Sequence, residues 1–195
     1  VLHKDYDLKI TSPKFFNILT HILKCKGISF VFSQFTNAGY GMKSIAVILE
    51  LHGYDRLPED SKKNFTGKKN IEKNKDDFKG FYIYLTSDTP DEKKNKLINL
   101  CKSPDNKNGD NIRVILGSSA VEQGISFFNI RQIHITEPWW NFSKIEQAIG
   151  RGVRNFSHIK LEKSKRNVMI FLHCTPNTVD EEMYYYAYLK KNAMM

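Results

Sequence analysis

The stretch IRQIHITEPWWNFSKIEQAIGRGVR, residues 130–154, decides the fold, because it changes from one backbone periodicity to another along its length. Ile130-Arg-Gln-Ile-His-Ile135 is short, alternating and β-branched, the pattern of a strand. Glu137-Pro-Trp-Trp-Asn141 interrupts it, and Ser143–Val153 then reads as a helix. The same alternation continues outward in both directions. Toward the N-terminus, Ile112-Arg-Val-Ile-Leu116 is a strand that runs into the small residues Gly117-Ser-Ser-Ala120. Phe81-Tyr-Ile-Tyr-Leu85 is another, and Ser87-Asp-Thr-Pro90 after it is an N-cap signature for a helix over Asp91–Cys101. Ile28-Ser-Phe-Val-Phe32 has the apolar, β-branched look of a buried parallel strand, with a helix before it over Ser12–Cys25 and one after it over Gly41–His52, closed by Gly53. Toward the C-terminus come the strand Val168–Leu172 and the amphipathic helix Thr178–Lys191. Strands alternating with helices predict an α/β fold, a parallel β-sheet flanked by helices on both faces, with ligands beyond the carboxyl ends of the strands. Ser33-Gln34, Ser118-Ser119 and Glu137-Pro138 fall at those ends.

A chain of 195 residues, 41% hydrophobic, is long enough for one domain with a real core and short for two. A single domain spanning residues 1–195 is expected, with the polar, lysine-dense residues 54–80 as an exposed insertion or loop within it. A formal net charge of +9 implies attraction to a polyanion, although a lysine-rich solubilising surface accounts for the same number. The three cysteines, Cys25, Cys101 and Cys174, lie far apart without metal-ligand spacing, so neither a zinc site nor a disulfide framework is expected, and a reducing, intracellular setting fits. No apolar run is long enough to span a bilayer and no signal-peptide layout is present, so no membrane partner is expected.

Gln147-Ala-Ile-Gly-Arg-Gly-Val-Arg154 places two arginines three residues apart, so that on a helix both guanidinium groups project from one face. Arg is planar and always charged, and it stabilises a transferring phosphoryl group in a way Lys does not reproduce. Gly150 and Gly152 would admit the close approach of a backbone or ligand. This segment resembles motif VI of the superfamily 2 helicases, with Gln147, Gly150, Arg151 and Arg154 at the matching positions. Ser118-Ser-Ala-Val-Glu-Gln-Gly-Ile-Ser126 resembles motif V, and Phe30-Val-Phe-Ser-Gln-Phe35 resembles motif IV. The order and spacing of the three match the C-terminal, RecA-like lobe of that superfamily. The likeness extends to the helicase-like ATPases of large cytoplasmic DNA viruses, poxvirus and asfarvirus among them. Its carriers are Gly124-Ile-Ser-Phe, Arg131-Gln-Ile-His-Ile, Glu137-Pro-Trp-Trp-Asn, the Gln147–Arg154 segment and Ser157-His158.

The resemblance implies Arg151 and Arg154, with Gln147, as catalytic residues acting on ATP. It implies Gly124, Ser126 and Gly150 on the nucleotide side, and Ser33, Gln34, Ser118 and Ser119 against a nucleic-acid backbone. Ser126 stands where the family more often has Asp. Small residues after a strand suit phosphate contact independently, since they expose N–H and hydroxyl donors without bulk. The chain has neither a G-x-x-x-x-G-K-[ST] loop nor an acidic Mg²⁺-holding box. The phosphate cradle and the Mg²⁺ of the ATP are therefore expected from an N-terminal RecA-like lobe of the same polypeptide, and the isolated lobe should be inactive. Single-stranded DNA or RNA is the expected partner. By resemblance, the setting is viral transcription machinery in the virion and host cytoplasm. A different class of function, a non-enzymatic basic nucleic-acid-binding module, is motivated by the charge and by residues 54–80. A Rossmann-type metabolic enzyme is disfavoured by the missing G-x-G-x-x-G after the first strand.

Other residues have plainer readings. His134 reads as a core histidine rather than a catalyst, Tyr184, Tyr185, Tyr186 and Tyr188 as packing for the last helix, and Glu122 and Glu137 as carboxylates without paired-acid logic. Trp139 and Trp140 admit either packing or stacking on a base.

Overall fold

The computed structural model describes residues 8–36, 41–58, 77–118 and 125–193. These form α1 (Leu8–Thr11), α2 (Pro13–Lys24), β1 (Ile28–Phe32), α3 (Met42–Leu51), β2 (Tyr54–Arg56), β3 (Gly80–Leu85), α4 (Asp91–Cys101), β4 (Ile112–Gly117), β5 (Ile130–Ile135), α5 (Phe142–Gly152), β6 (Met169–Leu172) and α6 (Val179–Ala193). The strands make one sheet in the order β2-β3-β4-β1-β5-β6, and every pairing is parallel. The expected α/β architecture is present, and the sheet carries one strand more than the sequence suggests.

Local chemistry explains most element boundaries. Pro13 sits at the start of α2, where its missing N–H costs nothing. Asp91 and Glu92 occupy the first turn of α4, opposite the positive end of its dipole. The Asn141 side chain accepts the Ser143 N–H at 2.9 Å and caps α5. Gly53 follows α3 with φ +88°. A Cβ there would lie 2.0 Å from the Asp77 carbonyl oxygen, so this turn requires glycine.

Two apolar layers sandwich the sheet. On one face, Ile18, Leu19 and Ile22 of α2 and Met42, Ile45, Ile48 and Leu49 of α3 pack on Val31, Tyr82, Val114 and Leu116. On the other, Leu97 and Ile98 of α4 and Ile145 and Ala148 of α5 pack on Phe30, Phe32, Ile83, Ile133 and Ile135. β1 lies between β4 and β5 and is buried at every residue, as a central parallel strand must be.

Two sequence expectations are revised, and one expected strand proves to be an exposed edge. Tyr54–Arg56, the beginning of the polar stretch 54–80, is an edge strand, with Tyr54 and Leu57 buried, and Gly80, at the end of the stretch, begins β3; residues 59–76 of that stretch lie outside the described residues. β6, apolar in sequence, forms the opposite edge and leaves Met169, Ile170 and Leu172 exposed. In α6, Tyr184 packs against the core, but Tyr185, Tyr186 and Tyr188 are exposed, because the helix touches the body along one side only.

Candidate functional site

The chain runs from β4 to β5 by crossing to the other side of β1. The carboxyl ends of these three central strands therefore border the point where strand order reverses, the usual crevice for a ligand in an open parallel sheet. Ser33 and Gln34 follow β1, Ser118 follows β4, and Thr136 and Glu137 follow β5. Backbone bonds stitch these ends together: Ser33 N–H donates to the Gly117 carbonyl at 3.2 Å, Ser118 N–H to Leu85 at 3.2 Å, and Thr136 N–H to Phe32 at 3.0 Å.

The polar side chains at these ends differ in exposure. Ser33 is fully buried, and its hydroxyl is engaged by the Phe35 backbone, accepting the N–H at 3.2 Å. Ser118 is also buried. Gln34 is half-buried, and its side-chain amide reaches the Pro138 carbonyl at 3.5 Å. Ser119 and Gly124, assigned from sequence to phosphate and nucleotide contacts, lie outside the described residues, as does Glu122.

Glu137 ties two of the loops together. Its carboxylate accepts from the Gln34 backbone N–H and from the Thr136 hydroxyl. Burial raises the pKa of this carboxyl, and those two hydrogen bonds, with a further one from Ser33, oppose the rise. Trp139 packs against the core with the Lys144 ammonium 4.6 Å from its ring centre, while Trp140 is exposed.

The arginines stand at the opposite end of α5. Gly152 makes this close packing possible, since a Cβ there would come within 3.0 Å of Ile133 and 3.3 Å of Ile130 on the sheet. Gly150 behaves otherwise: a Cβ there would meet nothing within 4 Å, so this glycine faces open space. Gln147 is exposed on the same helix. Arg151 lies in the last turn, but α5 ends at Gly152 and Arg154 lies past it, so the two do not share a helical face as their spacing predicts. They converge by another route. Arg151 Nη1 donates to the Ile125 carbonyl at 3.3 Å, and Arg154 Nη1 to the Ser126 hydroxyl at 2.5 Å. Arg154 Nε also donates to the Gly150 carbonyl at 3.1 Å. The Ile125-Ser126 segment is itself anchored, because Phe127 is buried against Phe30 at 4.8 Å between ring centres, and its N–H donates to the Arg151 carbonyl at 2.8 Å.

Arg151, Arg154, Ser126 and Gly150 thus form one cationic cluster with an open side. Ser33, Gln34 and Ser118 form a separate group at the strand ends. Two guanidinium groups beside a hydroxyl suit the oxygens of a triphosphate. Among the described residues, no group of three or more His, Cys, Asp or Glu side chains could hold a metal ion. Among those residues, too, no helix is long and apolar enough to cross a membrane.

Three contributors entered the sequence reading only as carriers of the resemblance, with no role of their own. Phe127 anchors the segment that meets the arginines, and Ser157 and His158 bond around Arg154. The available signal was a serine three residues after an arginine at a helix end, a spacing that suits a hydroxyl-to-backbone turn.

The family model described as helicase conserved C-terminal domain matches residues 16–156. The chain is 36% identical over 189 residues to the Acanthamoeba polyphaga mimivirus protein "Putative ATP-dependent RNA helicase R563", covering 92% of this chain and 30% of that protein. It is 35% identical over 137 residues to "Putative helicase 087L" of Invertebrate iridescent virus 3, covering 70% of this chain and 13% of that protein. The chain therefore spans under a third of the length of these relatives. In fold it is similar to the crystal structure of the C-terminal part of the Fun30 ATPase domain, with a TM-score of 0.62 at 16% identity, covering 95% of this chain and 48% of that one.

Proposed function

Since the chain belongs to the helicase conserved C-terminal domain family, we propose that it is the second motor lobe of a nucleic-acid-dependent ATPase, with Arg151 and Arg154 meeting the phosphates of ATP. The observation that carries this reading is the convergence of both arginines on Ile125-Ser126, beside the open face of Gly150. Gln147 is exposed on the same helix and completes the catalytic set. Gly124 and Ser126 border the nucleotide.

The cluster's charge and hydrogen-bonding character fit a triphosphate and do not fit a divalent cation, so the phosphate cradle and the Mg²⁺ ligands come from a preceding RecA-like lobe of a longer polypeptide. Bound ATP with Mg²⁺ supplies the phosphoryl group and the charge that draws the two lobes together. This chain's part is to present two fixed cations to the charge that develops on the transferring group. The lobe without its partner turns over no ATP.

At the strand ends, Ser33, Gln34, Ser118 and Ser119 hold a single-stranded DNA or RNA backbone, and the net charge of +9 draws it in. Ser33 and Ser118 are buried, so their part is to fix the strand-end loops that carry Gln34 and Ser119. The viral relatives, named as putative helicases, support a virus-encoded motor, and the motif resemblance is what suggests early transcription in the virion and host cytoplasm as its setting.

The test is Arg151→Ala and Arg154→Ala in the polypeptide that carries both lobes. Each variant is expected to lose about 10³-fold or more in ATP turnover, the magnitude of an arginine finger, while binding of a fluorescent ATP analogue persists. Normal turnover in both variants contradicts the reading and favours a basic nucleic-acid-binding module.

A further inference from the structure

Arg154 lies past the end of α5 and is exposed, yet its backbone is held from several sides. Arg154 N–H donates to Ser157 Oγ at 3.3 Å, and that hydroxyl lies 2.7 Å from the Arg154 carbonyl. Ser157 N–H donates to the same carbonyl at 3.1 Å. The hydroxyl is also 2.7 Å from His158 Nδ1, and His158 Nε2 is 2.6 Å from the Ile130 carbonyl at the start of β5. A carbonyl can only accept, so Nε2 carries a proton and donates to Ile130, while Nδ1 faces the Ser157 hydroxyl. The Ser157 carbonyl accepts the Asn129 N–H at 3.0 Å, a second tie to the residue before β5.

Left-handed backbone occurs in this turn, at Phe156, and at Asn129, which is hydrogen-bonded to it through Ser157. Phe156 has φ +64° and Asn129 φ +59°. Asparagine tolerates that region, but phenylalanine does not adopt it readily, and its ring is 79% exposed, so packing does not account for it. Strain of this kind persists where the surrounding bonds over-determine the conformation, and it gathers at functional sites. Here it brings the Ser157 hydroxyl back onto Arg154.

We propose that Ser157 and His158 are positioning residues for Arg154, a hydrogen-bonded latch that fixes the arginine's backbone to β5 so that its guanidinium meets the nucleotide in one register. The inference rests on the reading of Arg154 as a phosphate-contacting group. Neither residue touches ATP; each acts through the Arg154 backbone. A displacement of about 1 Å at a group aimed at the transition state costs on the order of 100-fold in rate without weakening ground-state binding.

The experiment compares Ser157→Ala, His158→Ala, His158→Asn and Arg154→Lys in the two-lobed polypeptide, measuring kcat and KM for ATP in the presence of saturating single-stranded oligonucleotide, with melting temperatures alongside. Ser157→Ala and His158→Ala are expected to lower kcat roughly 10- to 100-fold with KM changed by less than about two-fold. His158→Asn, whose side-chain oxygen sits near the position of Nδ1, should recover part of the loss. If His158→Ala also lowers the melting temperature, Ser157→Ala, which removes one oxygen, decides the matter. A defective Arg154→Lys beside full kcat in Ser157→Ala overturns the latch and leaves the arginine reading standing. Full activity in Arg154→Lys overturns both.

Discussion

His134 is buried in the sheet, with Nδ1 2.9 Å from His173 Nε2 and Nε2 3.2 Å from the Gln132 side-chain oxygen. An amide oxygen accepts, so His134 Nε2 donates to it and Nδ1 accepts from His173. The sequence reading of His134 as a core histidine agrees with this. Its partner was not legible, because His173 lies 39 positions away and reaches it only through the pairing of β5 with β6. Burial lowers the pKa of both rings: His173 to about 4, and His134 well below its ordinary value, with the neighbouring His173 and His21 adding to the effect. Unfolded, each takes up a proton near its ordinary value of about 6.5. Between about 6.5 and 4 the unfolded chain therefore binds more protons than the folded one. Stability is present in full above about 6.5 and is lost as pH falls through that window, by on the order of 3 kcal/mol from His173 alone. Glu137, raised by burial, works in the opposite sense at the acid end. Urea midpoints at pH 7.5 and pH 5, measured for the native chain and for His173→Gln, separate the two effects. The native chain should lose more stability on acidification than the variant, and parallel losses contradict the assignment.

At the scale of elements, the strands that the sequence declared most clearly are those it buries on both faces. β1 and β4 are apolar and β-branched because helices cover them from both sides, while β5 alternates, with Ile130, Ile133 and Ile135 in one apolar layer and the buried polar Gln132 and His134 between them. β2 was missed for the opposite reason: three residues at an edge, one of them buried, offer no period to read. α5 was legible, but its last turn was not. The spacing of Arg151 and Arg154 extends a helix that ends at Gly152, where the close packing on Ile130 and Ile133 and the turn through Ser157 take over. Of the site, the residue types and their order were readable, and the grip of both arginines on Ile125-Ser126 was not, since it depends on the burial of Phe127. The turn from α3 into β2 carries a direct prediction. Gly53→Ala places a Cβ against the Asp77 carbonyl at a φ of +88°. It should destabilise the fold by more than about 1 kcal/mol and lower the melting temperature by about 3 °C or more. An unchanged melting temperature shows that this turn relaxes freely.

At the scale of the whole molecule, among the described residues, the cationic cluster with Arg151 and Arg154 shares no hydrogen bond with the strand-end group of Ser33, Gln34 and Ser118. The open face at Gly150 and the chain's share of less than a third of its viral relatives agree with a lobe that works against another. A surplus of nine positive charges makes any polyanion contact sensitive to salt, with or without catalysis, so binding alone does not separate a motor lobe from a basic module. Turnover does. The most direct measurement is steady-state ATP hydrolysis by the two-lobed polypeptide and by the isolated 195-residue chain, each with and without single-stranded DNA or RNA. Turnover is expected only in the two-lobed protein, stimulated by one of the two polymers. Equal hydrolysis by the isolated chain would contradict it, because the arginines would then belong to an ATP site complete within this lobe.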